Sequence, residues 1–263
     1  MRLACPWFAL VTVLLPLAPA SAGASAERAA VSLTASPARI SIAGSGHATI
    51  QVTNSGSRRV DVDVGRAGFA LDLRGRPRIV SRARQGGAVA SWLTVRPRRL
   101  ALPAGTSASL TISSAVPRRA GPGDHNALVV LTSRPMSGAR VAVRMRLGIV
   151  VVVRAPGQVS RRLELRRLRV RRVGSTRRLE LLVANLGNIT ERLGRERLSM
   201  VLRRGGRTIA RLKPAARDLL PRTTGIVPAR YAGRVHGRVT ALVELSYGPG
   251  GGGVLRRAFH IRL

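Results

Sequence analysis

The sequence predicts an all-β chain: two immunoglobulin-like β-sandwiches in tandem behind a signal peptide. Three observations predict this. Apolar and polar residues alternate with a period of two along most of the chain, the mark of half-buried strands. Clusters of Gly, Pro, Asn and Ser interrupt the alternation at short intervals, as many short strands joined by turns require. The length of 263 residues suits two domains of about 100–150 residues each.

The elements follow in chain order. Arg2 and the apolar run Leu3–Leu17, followed by small-residue triplets from Ala18 to Ala26, read as a signal peptide cut after Ala22 or Ala26. The domain plan is 1–26 signal peptide, 27–156 first sandwich and 157–263 second sandwich. Cleavage removes Cys5 and leaves no thiol, disulfide or membrane anchor, so the protein is expected to be secreted or held in the cell envelope. In the first sandwich Ile40 and Ile42, then Ala48, Ile50 and Val52, then Val60, Val62 and Val64, then Leu110 and Ile112 occupy alternate positions. The longest strand candidate is Val141–Val153, with an unbroken apolar face at odd positions. Arg154-Ala155-Pro156-Gly157 is a linker. Leu163–Arg172 admits a basic helix, but β-branched Val170 and Val173 and the Gly174-Ser175 turn favour a strand pair. Gly250–Gly253 reads as a flexible turn between two further strands. A weak repeat links the halves: Val52-Thr53-Asn54-Ser55-Gly56 matches Val183-Ala184-Asn185-Leu186-Gly187, and Leu102-Pro103 matches Leu220-Pro221.

Chemistry is sparse. The net charge is +35, and Lys213 is the sole lysine among 46 basic residues. GC-rich coding explains such a bias, as does a polyanion partner for arginine forks. The paired arginines Arg161/Arg162, Arg166/Arg167 and Arg171/Arg172 are the candidate polyanion-binding residues. With aromatics at only 3%, base-stacking platforms are scarce, so no specific nucleic-acid partner is expected. His47, His125, His236 and His260 show no metal-ligand spacing. Asp124-His125 reads as a polar turn rather than a catalytic dyad, and Asp61 with Asp63 as surface ion pairs rather than a calcium site. The Asn188-Ile189-Thr190 sequon reads as a turn cap. Trp92 is expected to anchor the first core, mostly buried. No catalytic set, cofactor fingerprint or phosphate loop is found, which points away from an enzyme.

Ser36-Pro37-Ala38-Arg39-Ile40, Val52-Thr53-Asn54, Trp92-Leu93-Thr94-Val95-Arg96-Pro97 and Gly121-Pro122-Gly123-Asp124 resemble the N-terminal immunoglobulin-like domain of periplasmic pilus-assembly chaperones. They equally resemble tandem immunoglobulin-like domains of Gram-positive surface proteins that bind peptidoglycan and associate with WxL-type proteins. The second half, with Ala184-Asn185-Leu186-Gly187-Asn188, is closer to that surface group. The chaperone resemblance implies a carboxylate anchor: Arg39 matches its first-strand arginine. Its last-strand lysine falls near Val150, with Arg146 on the same strand face as the substitute. It also implies Val150 and Val152 as residues lent to a partner's sheet. The leading expectation is therefore a non-enzymatic envelope scaffold bound to anionic cell-wall polymer or another envelope protein. The alternative is a chaperone that lends a strand to a surface-fibre subunit.

Overall fold

Residues 31–80, 88–134, 144–248 and 252–263 are described by the computed structural model; the expected signal peptide, Val141, Val143 and the first half of the Gly250–Gly253 turn lie outside them. Period-two alternation becomes β-structure throughout, and the only helix among the described residues is the single turn α1 (Val89–Trp92). The first domain runs β1 (Leu33–Ser36), β2 (Arg39–Ala43), β3 (His47–Asn54), β4 (Val60–Leu71), β5 (Pro77–Val80), α1, β6 (Leu93–Arg96), β7 (Arg99–Leu102), β8 (Ser107–Ser114), β9 (Gly123–Ser133) and β10 (Arg146–Ala155). One sheet is ordered β1-β3-β8-β6; the other is β2-β10-β9-β4-β5, with β7 also on β4. The first strand thus changes sheets at Pro37. Its first half pairs antiparallel with β3, and its second half lies parallel to β10. Two facing sheets joined in this way form the immunoglobulin-like sandwich.

Burial follows the alternation. Ile50, Val52, Val62, Leu110, Ile112, Val129, Leu131, Ile149, Val151 and Val153 point into one aliphatic core. Odd-numbered residues of β10 from Ile149 on are buried, as the alternation requires. Trp92 packs against this core but stays half-buried. The reason is its position at the end of α1, where its ring leans on His125 at 4.6 Å between centroids instead of entering the sandwich.

The second domain runs β11 (Leu163–Val173), β12 (Thr176–Asn185), β13 (Glu191–Leu193), β14 (Leu198–Arg204), β15 (Arg207–Leu212), β16 (Arg217–Leu219), β17 (Thr223–Tyr231), β18 (Arg238–Tyr247) and β19 (Gly253–Arg262). Its sheets are β11-β12-β17 and β15-β14-β18-β19, with a ribbon β13-β16. Leu163–Val173 is a strand, turned into β12 by Gly174 at φ +57°. A second aliphatic core, with Leu179, Leu181, Val183, Leu198, Met200, Leu202, Ala241, Val243 and Leu245, lies between the sheets.

The repeat has a physical basis. The Asn54 side-chain amide donates to the carbonyls of Arg58, Leu102 and Pro103 and accepts from the Gly56 N–H. Asn185 donates to Ile189, Leu219 and Leu220 and accepts from Gly187. Both are almost completely buried, at 0% and 1% exposure. Each pins a strand end to the loop opposite by satisfying main-chain groups that would otherwise be buried unpaired. The structure shifts the expected alignment by one residue, since Leu102-Pro103 corresponds to Leu219-Leu220. Hydroxyl bonds agree: Thr106 to the Pro103 carbonyl and Thr223 to that of Leu220. Gly105 (φ +71°) then corresponds to Arg222 (φ +56°).

Candidate functional site

The domains meet through a small apolar cluster, Phe69, Leu128 and Leu220, with Leu71, Val130 and Val150 against it. Polar contacts frame it. Asp124, only 7% exposed, accepts from Arg154 Nε (2.7 Å) and from the Thr190 main chain (2.8 Å). Its hydrogen bond to Arg154 raises the affinity of that guanidinium for its proton. Asn188 donates to the Pro122 and Gln158 carbonyls and accepts from the Ser160 N–H. Its side-chain amide is thus engaged in the joint rather than capping its own turn, which Asn185 does by accepting from the Gly187 N–H and donating to the Ile189 carbonyl. The Ile226 N–H donates to Leu73 O at 2.7 Å. Asp124 and His125 form no dyad. Successive strand residues face opposite ways, so Asp124 turns to the second domain while His125 turns to Trp92 and the Gly121 carbonyl.

Beside the apolar cluster lies a cleft of about 570 Å³, lined by Arg39, Phe69, Val150 and Leu220 and, from the second domain, Arg192, Arg217 and Asp218. β2 places Arg39 directly opposite Val150 of β10. The position expected for a second cation on β10 is therefore valine and contributes only apolar surface. Arg146 does not replace it: four residues of strand separate it from Val150, about 13 Å, and it projects into solvent. The cations that share the cleft with Arg39 come from β16 and the middle of β13. Arg217 reaches across to Gly75, where any Cβ would collide with its guanidinium, and its Nε is buried without a hydrogen-bond partner among the described residues. Arg39 is ion-paired with Asp218 across the cleft. None of Asp218, Arg217 or Arg192 was legible beforehand, because no local motif marks them and topology alone brings β16 to β2.

β10 carries the second feature. The Val150 N–H donates to Ala38 O at 3.0 Å, and β2 covers Val150–Arg154. Among the described residues, Arg146–Ile149 pair with β9 only. In an antiparallel pair the N–H and C=O of alternate residues point to the same side. Arg146 and Gly148, in step with Val150, therefore direct their main-chain groups to an open edge. This corrects the expectation for Val150 and Val152. Both already pair with β2, Val150 sits half-buried in the interdomain cluster, and Val152 is 2% exposed, so neither can be lent while β2 stays in place.

The candidate polyanion-binding pairs Arg161/Arg162, Arg166/Arg167 and Arg171/Arg172 are spread along the start and length of β11, not gathered at one point. One member of each pair is neutralised within the fold: Arg161 by Glu191 (2.6 Å), Arg166 by Glu164 (3.1 Å) and Arg171 by Glu180 (3.2 Å). Arg161 and Arg162 precede β11 and part company there. Arg161 turns inward to the nearly buried Glu191, while the Arg162 side chain is exposed and its carbonyl accepts from the Leu186 N–H at 2.7 Å. Arg162 therefore serves the β11–β12 joint through its main chain and shares no anion site with Arg161. Within β11 a bulge between Leu165 and Arg167 breaks the register at the second pair. Arg171 and Arg172 are strand neighbours and face opposite ways; Arg172 donates through Nε to the Gly174 carbonyl at 3.4 Å. Asp61 and Asp63 form surface ion pairs: Asp61 with Arg59, Asp63 with Arg134 and Arg99. Among the described residues no group of three potential ligands could hold a metal ion, and no helix is long and apolar enough to cross a membrane.

No protein-family model matches the chain, and no curated protein sequence does. Solved structures do match. A chaperone–tip adhesin complex of CFA/I fimbriae biogenesis is 12% identical over 86% of this chain and 98% of its own, with a TM-score of 0.49. The E. coli chaperone DraB is 17% identical over 89% and 99%, at 0.43. The Pseudomonas aeruginosa CupB2 chaperone is 12% identical over 86% and 98%, at 0.42. The resemblance to WxL-associated surface proteins has no counterpart among these three.

Proposed function

We propose that this chain is a non-enzymatic, extracytoplasmic binding protein of chaperone type. It holds an extended partner segment, such as that of a surface-fibre subunit, against the open edge of β10, and Arg39 takes the segment's terminal carboxylate. The observation that carries this reading is the half-covered strand. β2 begins at Arg39, and short of it Arg146 and Gly148 present main-chain donors and acceptors with no partner among the described residues. An added strand gains its affinity from such groups. The direction is also set. A segment whose carboxylate meets Arg39 and whose body lies on Arg146–Ile149 continues the line of β2 and runs parallel to β10. Gly148 is about 7 Å from the register position of Arg39, so the last two or three residues of a partner span the gap. Arg144 and Arg146, both exposed, keep the edge from pairing indiscriminately in the free protein.

The test is an amide-resolved titration with a peptide of alternating apolar residues ending in a free carboxylate. Signals of Arg146 and Gly148 should shift and gain protection from exchange. Gly148→Pro should abolish binding while the fold persists. Proline removes only the outward N–H, and a Cβ at this position meets Leu128 at an ordinary 3.6 Å. Amidating the peptide, or Arg39→Ala, should weaken binding by about tenfold, as loss of one charge-assisted pair does. Binding that leaves Arg146 and Gly148 unmoved would refute the reading.

A further inference from the structure

We propose that the outer face of the second domain, where β14, β18 and β19 end, is a binding site for clustered phosphoryl groups. The site is separate from the cleft and does not depend on the chaperone reading. On β18 the odd residues Val239, Ala241 and Val243 are buried, so Arg238 and Thr240 point outward. β19 sets Arg262 directly opposite Arg238, and His260 opposite Thr240. β14 sets Arg203 on the other side of Thr240, and Arg204 follows at the hairpin. These residues line an open concavity of about 590 Å³ with no acidic residue in its wall.

Like charges directly opposite one another across a strand pair destabilise it, yet Arg238 and Arg262 stand opposite with no carboxylate partner among the described residues. Arg203 and Arg204 lack one too. Other arginines of the chain fare differently: Arg161, Arg166, Arg171 and Arg256 are matched to acids. Arg203 is held in place by donation from its guanidinium to the Gly206 carbonyl, with Nε at 3.1 Å. The His260 imidazole lies 3.3 Å from the Thr240 hydroxyl, adding polar groups at the centre of the cationic rim. Four guanidinium groups exceed what a single carboxylate neutralises. Their forks match tetrahedral oxyanions bidentately, and an open floor admits an extended ligand. Two or more phosphoryl groups a few ångströms apart meet these requirements.

Tripolyphosphate is the probe. It is titrated into the protein at physiological salt by calorimetry, with the His260 imidazole signals followed in parallel. A saturable event that shifts His260 is expected. The variant Arg238→Gln/Arg262→Gln should weaken it by about tenfold or more. The charge-matched control Arg166→Gln/Arg171→Gln should change it by less than about twofold. Thermal melting checks that each variant folds, and Arg262→Gln alone serves if the double variant does not. Equal losses in both variants, or a His260 signal that stays still at saturation, would overturn the site. Vesicles of phosphatidylglycerol in phosphatidylcholine separate the sources of phosphate. Binding lost in the same variant assigns a lipid headgroup, and binding of tripolyphosphate alone assigns a soluble phosphate polymer. Binding of neither overturns the proposal.

Discussion

Asn54 and Asn185 show what a single side chain contributes to this fold. Each satisfies three carbonyls and one N–H beside an aliphatic core, too deep for solvent to take its place. Asn54→Ala should lower stability by about 2–4 kcal/mol, the cost of lost hydrogen bonds plus stranded carbonyls. Asn54→Asp should be worse, because a carboxylate would face the Leu102 and Pro103 carbonyls without a proton to offer. Chemical denaturation of both variants checks the order, and an aspartate as stable as wild type would contradict the assignment of donors. Arg222 offers the opposite case: a left-handed backbone at the position where the first domain has Gly105. Arg222→Gly should raise stability by about 1 kcal/mol, measured as an upward shift in melting temperature. The asparagine pair was visible in the sequence as a repeat. Its role was not, because the bonding partners on the opposite loop lie 34 to 49 residues away. Trp92 was legible as a packing residue but not as half-buried, since the turn of helix that lifts it from the sheet has no periodicity to announce it.

Strands were the most legible level. Alternation located β3, β8, β10, β12 and β18, and β-branched residues with a two-residue turn identified the β11-β12 hairpin. Register was not legible. The distinction between covered and open halves of β10 depends on where β2 begins, which no residue of β10 encodes. That is why the sequence points to Val150 and Val152 as lent residues, while the open main chain belongs to Arg146 and Gly148. Ladder ends also respond to pH. Asp63, in β4, has its pKa lowered, chiefly by its hydrogen bond to Arg134 just past β9. A depressed carboxylate contributes stability above the unfolded-state pKa and loses it as pH falls through the folded one. Asp63→Asn should therefore flatten the fall in stability through pH about 4, by lowering stability slightly at neutral pH and leaving the acid end unchanged, as acid-titrated melting would reveal. Wild-type and variant curves of the same slope would contradict this.

At the scale of the molecule, a cysteine-poor chain with 46 cations against 11 acids makes its few acids structural. Asp124 and Glu191 are buried among arginines, and Asp218 holds Arg39 across the cleft. Any ligand carboxylate must displace Asp218, so Asp218→Asn should strengthen binding of a free-carboxylate peptide by a few-fold. It should leave an amidated peptide unaffected, with both affinities read by calorimetry. Composition announced the charge of the whole but not its distribution, because pairing with acids depends on the fold: Arg161 is neutralised, while its exposed neighbour Arg162 has no acid partner among the described residues. The half-open β10 edge is probed most directly by residue-resolved amide hydrogen exchange of the free protein across residues 146–154. The structure predicts rapid exchange at Arg146 and Gly148, slow exchange at Leu147 and Ile149, which pair with β9, and slow exchange at Val150 and Val152 beneath β2. Uniform protection of all these amides would mean that the edge is already closed and would contradict strand capture at β10.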